Sequence, residues 1–148
     1  MRPKLLLLAS EFPPGPGGIG RHAYELAREL NRLSWDVLAV APQPYADARA
    51  RESFNAQLSF RFEPLASGDA PARHVRRCFH LARLLLRERP AVLLVSGQRP
   101  LWVGAAAKAL CNIPLVVVAV GSELTCNERV SRLLTKLAVA QASRILAI

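Results

Sequence analysis

The residues best suited to do chemistry form a short bend, Gly15-Pro16-Gly17-Gly18-Ile19-Gly20, followed at once by Arg21 and His22. An apolar run, Leu5-Leu6-Leu7-Leu8-Ala9, precedes it and an amphipathic helical pattern follows. Strand, glycine bend, helix is the order that turns backbone N–H groups toward an anion. The implied partner is a phosphorylated ligand, with Arg21 adding positive charge to the helix N-terminus. A second group, Gly121-Ser122-Glu123-Leu124, follows another apolar run. Its Glu123 reads as a ligand for hydroxyls or as a helix-start carboxylate, and it is the one candidate catalytic group. A third, Ser96-Gly97-Gln98-Arg99, has the same position after a strand pattern. Ligands of open α/β sheets sit beyond the C-terminal ends of strands, so all three loops share one edge.

Three readings of the bend compete. Gly15-x-Gly17-x-x-Gly20 fits the spacing of a dinucleotide-binding turn. That reading needs an acidic residue at the end of the second strand, which here ends Val40-Ala41-Pro42, with Asp36 at the opposite end. A P-loop needs Lys and Ser/Thr where this chain has Arg21 and His22. A bare turn would use the glycines only for their backbone angles.

Other reaction classes find little support. His22, His74 and His80 have no cysteine or carboxylate at metal-ligand spacing, so no metal is expected; His22 is placed at the mouth of the cleft. No serine sits in a G-x-S-x-G elbow. Cys78, Cys111 and Cys126 form no CxxC pair and read as reduced thiols of a cytoplasmic protein. Trp35 and Trp102 read as packing residues.

These loops must be positioned by alternating strands and helices. The pattern gives a strand at 4–9, a helix at about 20–33 and a short buried strand at 37–41. An irregular stretch at 42–57 comes next, then a half-exposed or edge strand in which Leu58, Phe60 and Phe62 alternate with polar residues. A helix at about 72–88, a strand at 92–95 and a small-residue helix at about 101–111 lead to Leu115–Val120, apolar throughout and expected to be central. A helix at about 126–140 and a strand from Ile145 close the chain. The expected fold is a single α/β domain, a Rossmann-like three-layer sandwich with a mostly parallel sheet. Ending on a strand suggests a piece of a larger protein.

The chain carries 20 Lys and Arg against 11 Asp and Glu, a net +9, which favours an anionic partner. Part of this charge gathers on the helix at 72–88, where Arg73, Arg76, Arg77, His80, Arg83 and Arg87 are assigned to one side. Val75, Cys78, Phe79, Ala82, Leu85 and Leu86 are assigned to the opposite, inward face. Such a helix is either a solvated outer face or a surface for anionic membrane. No aromatic interleaving or recognition-helix motif suggests nucleic acid.

Read together, Glu11-Phe12-Pro13-Pro14-Gly15-Pro16-Gly17-Gly18-Ile19-Gly20-Arg21-His22 and the following Glu25-Leu26-Ala27-Arg28-Glu29-Leu30 resemble the opening of family 4 glycosyltransferases, retaining enzymes of the GT-B fold. Asp36-Val37, Ile113-Pro114, Gly121-Ser122-Glu123-Leu124 and Ala142-Ser143-Arg144-Ile145-Leu146-Ala147 recur in the family's order. The resemblance implies that residues 1–148 are the N-terminal, mainly acceptor-binding half of a two-domain enzyme. No cofactor is implied; the donor substrate is a nucleotide diphosphate sugar, held chiefly by a C-terminal domain that these residues lack. Gly17 and Gly18 correspond to the glycines that approach the donor diphosphate, with Arg21 beside them. Gly20, His22, Ser96, Gly121, Ser122 and Glu123 are the expected acceptor or cleft-lining residues. The acceptor is expected to be a sugar, a lipid-linked sugar or a small molecule, at the cytoplasmic face of a membrane. One departure stands out: Val120 occupies the position where the family commonly has a histidine that contacts the transferred sugar. It keeps open a non-catalytic α/β binding or scaffold module.

Overall fold

Leu5, Leu6, Leu7 and Leu8 are each no more than 4% exposed, because their strand is covered on both faces and paired on both edges. A computed structural model describes residues 2–66, 71–119 and 129–147, without the side chains of residues 71, 73, 74 and 129. In chain order the elements are β1 (Lys4–Ala9), α1 (Gly18–Arg32), β2 (Asp36–Pro42), α2 (Ala48–Asn55), β3 (Arg61–Leu65), α3 (Pro71–Glu88), β4 (Val92–Ser96), α4 (Gln98–Cys111), β5 (Leu115–Ala119), α5 (Arg129–Ala140) and β6 (Arg144–Ala147). The strands form one sheet in the order β3-β2-β1-β4-β5-β6, and every pairing is parallel.

Alternation along each strand feeds two cores. Leu6, Leu8, Leu38, Val40, Leu93 and Val95 pack with Leu81, Leu84 and Leu85 of α3, Leu101 and Ala105 of α4 and Ala138 of α5. Leu5, Leu7, Val37, Ala39 and Leu94 face the other way, toward Ala23 and Ala27 of α1 and toward Phe12 and Phe60. Helices therefore cover both faces, as the sequence pattern implies. Close approach of α4 depends on Gly104: a Cβ there would lie 2.7 Å from Val95 Cγ1 and 2.9 Å from Leu115 Cδ1.

Four expectations need correction. β5 is interior but next to the edge strand β6; β1 and β4 hold the centre. β5 is apolar because both of its faces are covered, which does not require a central position. β3 is an edge strand, as expected, but it begins at Arg61 rather than Leu58. The stretch at 42–57 contains α2, started by Asp47, whose Oδ1 accepts the Ala50 N–H at 2.8 Å.

The fourth concerns α3, which is turned by about 100°, one residue's step, from the expected phase. Its buried side is Leu81, Leu84, Leu85 and Glu88, whereas Val75, Cys78, Phe79, Ala82 and Leu86 face outward. Glu88 is one reason for that phase. Its carboxylate accepts from Lys4 Nζ at 3.3 Å, Arg61 Nη2 at 3.0 Å and Arg87 Nη2 at 3.0 Å, at the N-terminal edge of the sheet. Arg61 also reaches Asp36, at 3.4 Å. Arg61 first, then Lys4 and Arg87, pull the Glu88 carboxyl down to about 2.

A carboxylate held below its unfolded value adds stability above that value and loses it on acidification. Glu88 should thus contribute fully above about pH 4.5 and progressively less toward pH 2. Glu88→Gln is expected to lower stability at pH 7 by roughly 2 kcal/mol, as for a charged hydrogen-bonded group. In urea titrations the gap between wild type and variant should narrow as pH falls from 4.5 to 2; a constant gap would exclude the ionic contribution.

Candidate functional site

β1 and β4 are neighbours, yet the helices that follow them lie on opposite faces of the sheet. That reversal opens a crevice at their C-terminal ends. The glycine bend follows β1, and Ser96-Gly97 follows β4, so the two loops meet. Ser10 N–H donates to the Ser96 carbonyl at 3.0 Å. Gly97 caps α4 at φ 104°, where a Cβ would lie 2.5 Å from Ser10 Oγ. The need for glycine at position 97 comes from a loop distant along the chain.

The bend is fixed from several sides. Phe12 is buried, stacked on Phe62 at 4.6 Å and edge-on to Tyr24 and Phe60. Gln43, also buried, donates to the Pro13 carbonyl and exchanges amide hydrogen bonds with Asn55 at 2.8 and 3.2 Å. Gln43 follows β2 directly, near where a dinucleotide site would place its acidic residue, and its amide is consumed in these bonds. Asp36 lies at the other end of β2, against Arg61.

Inside the bend a carboxylate fixes the start of α1. Glu11 Oε1 accepts the Gly20 N–H at 3.0 Å and so caps the first turn of α1. Gly17, the N-cap, has φ 153°, and a Cβ on it would fall 2.3 Å from the same oxygen. Gly20 lies tightly against Glu11 and Phe12, with a would-be Cβ at 3.3 Å. Gly18 differs: nothing lies within 4 Å of its would-be Cβ. The N–H groups of Gly18 and Ile19 head the same turn and have no hydrogen-bond acceptor among the described residues.

The other candidates divide. Arg21 is exposed and its Nε pairs with Glu25 at 3.2 Å, one turn along α1 and away from the bend. His22 is half-buried, with Nδ1 lacking a partner among the described residues. Ser96 is 1% exposed, so its side chain lies beneath the crevice floor, again with an unpartnered Oγ among the described residues. Val120, Gly121, Ser122 and Glu123 lie outside the described residues, as does the Arg73 side chain. At the C-terminal ends of β4 and β5 a cavity of about 90 Å³ is lined by Gly97, Leu101, Val117, Val118, Ala119, Val139 and Ile145. Among the described residues no group of His, Cys, Asp and Glu could hold a metal, and no helix is long and apolar enough to cross a membrane.

Residues 17–148 match the family model of the glycosyl transferase 4-like domain. The chain belongs to this family. Solved structures agree on the fold of this glycosyltransferase domain. MurG of Acinetobacter baumannii superposes with a TM-score of 0.67 at 14% identity, over 98% of this chain and 41% of that one. Anabaena Alr3699/HepE, solved with UDP-glucose, gives 0.66 at 20% identity, over 96% of this chain and 36% of that one. The UDP-GlcNAc 2-epimerase of Methanocaldococcus jannaschii gives 0.64 at 17% identity, over 97% of this chain and 39% of that one. The domain thus has the Rossmann-like α/β fold of the N-terminal half of a GT-B protein, and it spans about two fifths of these structures' length. No curated protein sequence matches the chain.

The bend's geometry separates its glycines. Gly17→Ala and Gly97→Ala should each cost about 1–3 kcal/mol, from strained backbone and a direct clash. Gly18→Ala, on open space at the start of a helix, should be neutral or slightly stabilising. Urea denaturation of the three variants checks the order; equal losses would mean that the bend is not held as described.

Proposed function

We propose that this domain is the acceptor-side half of an enzyme that moves a glycosyl group from a nucleotide diphosphate sugar to an acceptor hydroxyl with retention. The observation that carries the reading is Gly18: it heads α1 at the crevice between β1 and β4, with open space where a side chain would be. A diphosphate can approach the backbone there without displacing protein atoms. HepE has been solved with UDP and with UDP-glucose, which supports a nucleotide-sugar donor for a relative of the same fold.

In this mechanism, cleavage of the donor leaves growing negative charge on the diphosphate. The Gly18 and Ile19 N–H groups and the α1 dipole stabilise that charge more than they stabilise the intact donor, which lowers the barrier. Glu11 holds Gly20 and keeps these donors aligned before the substrate arrives. Arg21 joins by exchanging Glu25 for phosphate oxygen. The acceptor hydroxyl attacks from the side on which the diphosphate departs and passes its proton to the departing phosphate oxygen, so configuration is retained. Glu123 orients a sugar or acceptor hydroxyl, and Ser122 and His22 line the acceptor side. A second α/β domain of the full-length protein holds the nucleotide and closes the cleft. The reading expects this work on the cytoplasmic side, with a sugar, lipid-linked sugar or small molecule as acceptor.

Val120 in place of a sugar-contacting histidine favours one other reading, a module that kept the fold and lost the chemistry. Gly18→Leu in the full-length protein distinguishes the two. Because Gly18 faces open space, the variant should fold with near-wild-type stability, while turnover of a nucleotide diphosphate sugar falls at least tenfold. Calorimetry with UDP-glucose and UDP-N-acetylglucosamine should find binding to full-length protein and little to residues 1–148 alone. Unchanged turnover in Gly18→Leu removes the bend from the mechanism; binding without turnover in the wild type selects the module.

A further inference from the structure

The phase of α3 leaves an apolar stripe uncovered. Val75, Phe79, Ala82 and Leu86 follow one another at four, three and four residues, a spacing that keeps them on a single side of a helix. They do not face the sheet: Val75 is 56%, Phe79 74% and Leu86 71% exposed. Leu81, Leu84 and Leu85 make the core contacts instead. Exposed apolar side chains are ordinary singly, but a row along three turns marks a surface that meets something.

The flanks of the stripe say what that is. No acidic residue occurs from Pro71 to Arg87. Arg76 and Arg83 flank the stripe on its other side from the core and make no ion pair with described residues. Arg77 and Arg87, by contrast, are drawn toward the body of the domain, Arg77 to the Ala66 carbonyl and Arg87 to Glu63 and Glu88. His80 likewise turns toward Glu63, its Nε2 lying 2.8 Å from a carboxylate oxygen. Arg76, Arg77, Arg83 and Arg87, assigned to one anionic surface, are therefore not equivalent, and the two without an ion pair among the described residues stand beside the exposed apolar row.

We infer that α3 lies flat on an anionic lipid bilayer, with Val75, Phe79 and Leu86 entering the headgroup–acyl boundary and Arg76 and Arg83 meeting lipid phosphates. An apolar row with cations on its flank, on a chain of net charge +9, matches a negatively charged interface. A second copy of the chain fits less well, since α3 has no acidic residue before Glu88 to meet the arginines of a facing α3, and an antiparallel stripe-to-stripe pair sets the two arginine flanks side by side. The inference stands apart from the sugar chemistry and does not need it.

The test uses the full chain and vesicle flotation, with phosphatidylcholine alone or with 30% phosphatidylglycerol (an amount of about that order suffices for a negative surface). Wild type should float with the anionic vesicles, far less with neutral ones, and less in high salt. Arg76→Gln with Arg83→Gln should weaken binding by about fivefold per charge. Phe79→Ser with Leu86→Ser should weaken it at least about tenfold while far-UV circular dichroism and thermal midpoint stay at wild-type values, as expected for outward side chains. Phe79→Trp should shift its emission to the blue on anionic vesicles only. Equal flotation on both lipids, or full anionic binding by the Phe79→Ser, Leu86→Ser variant, overturns the inference. So does a dimer in sedimentation velocity that this variant abolishes while vesicles recover no protein, an outcome that assigns the stripe to a second copy. None of these readouts depends on donor binding, so failure here leaves the glycosyl-transfer reading to its own test.

Discussion

The constraint on which the rest depends is the position of β1. It pairs with β2 on one edge and β4 on the other, and it is buried on both faces. A strand so enclosed has to be apolar at every residue, which is what Leu5 to Ala9 provide. Because β1 and β4 send their helices to opposite faces, a crevice opens between their C-terminal ends. Two helix N-termini, both capped by glycine and neither by a side chain of the cap residue, arrive at that crevice.

The bend at the crevice is more than a flexible loop. Phe12 anchors it in an aromatic cluster and Gln43 holds Pro13. Glu11 satisfies Gly20, and the space each glycine leaves is already filled except at Gly18. Rigid placement matters for a site that stabilises charge, because donors fixed in advance need no reorganisation when charge appears. The carboxylate of Glu11 also tempers the positive end of α1, so an anion meets two remaining N–H groups rather than the whole turn.

On the far half of the sheet α3 answers to two demands. Its inner face must pack on the sheet, and its last residue must reach the cations at the starts of β1 and β3. Leu84 and Glu88, one turn apart, meet both at once. The leucines that satisfy this phase leave another apolar row outside. A helix whose apolar surface extends past its packed face into an exposed row is costly to leave bare in water, and that row gives the domain a surface suited to an interface.

The sequence by itself determined the layered α/β class, nearly all strand positions, the glycine bend and the likeness to family 4 glycosyltransferases. These are local signals: fully apolar strands, helical periodicity and glycine spacing each read from neighbouring residues. It did not determine the phase of α3, since Val75-Phe79-Ala82-Leu86 and Leu81-Leu84-Leu85 are both valid inner faces and only contact with the sheet and with Lys4 and Arg61 selects one. Nor did it rank β5 below β1 and β4, because an apolar run reports burial and not order in the sheet. The α2 helix carried a sequence signal in Asp47 and its N-cap, hidden by low hydrophobicity. Within the bend, glycine count suggested an anion site, but which glycine is open was decided by Glu11, Phe12 and Tyr45, set against the bend by folding. Conformational demand on a glycine is a property of its surroundings, and those surroundings are tertiary.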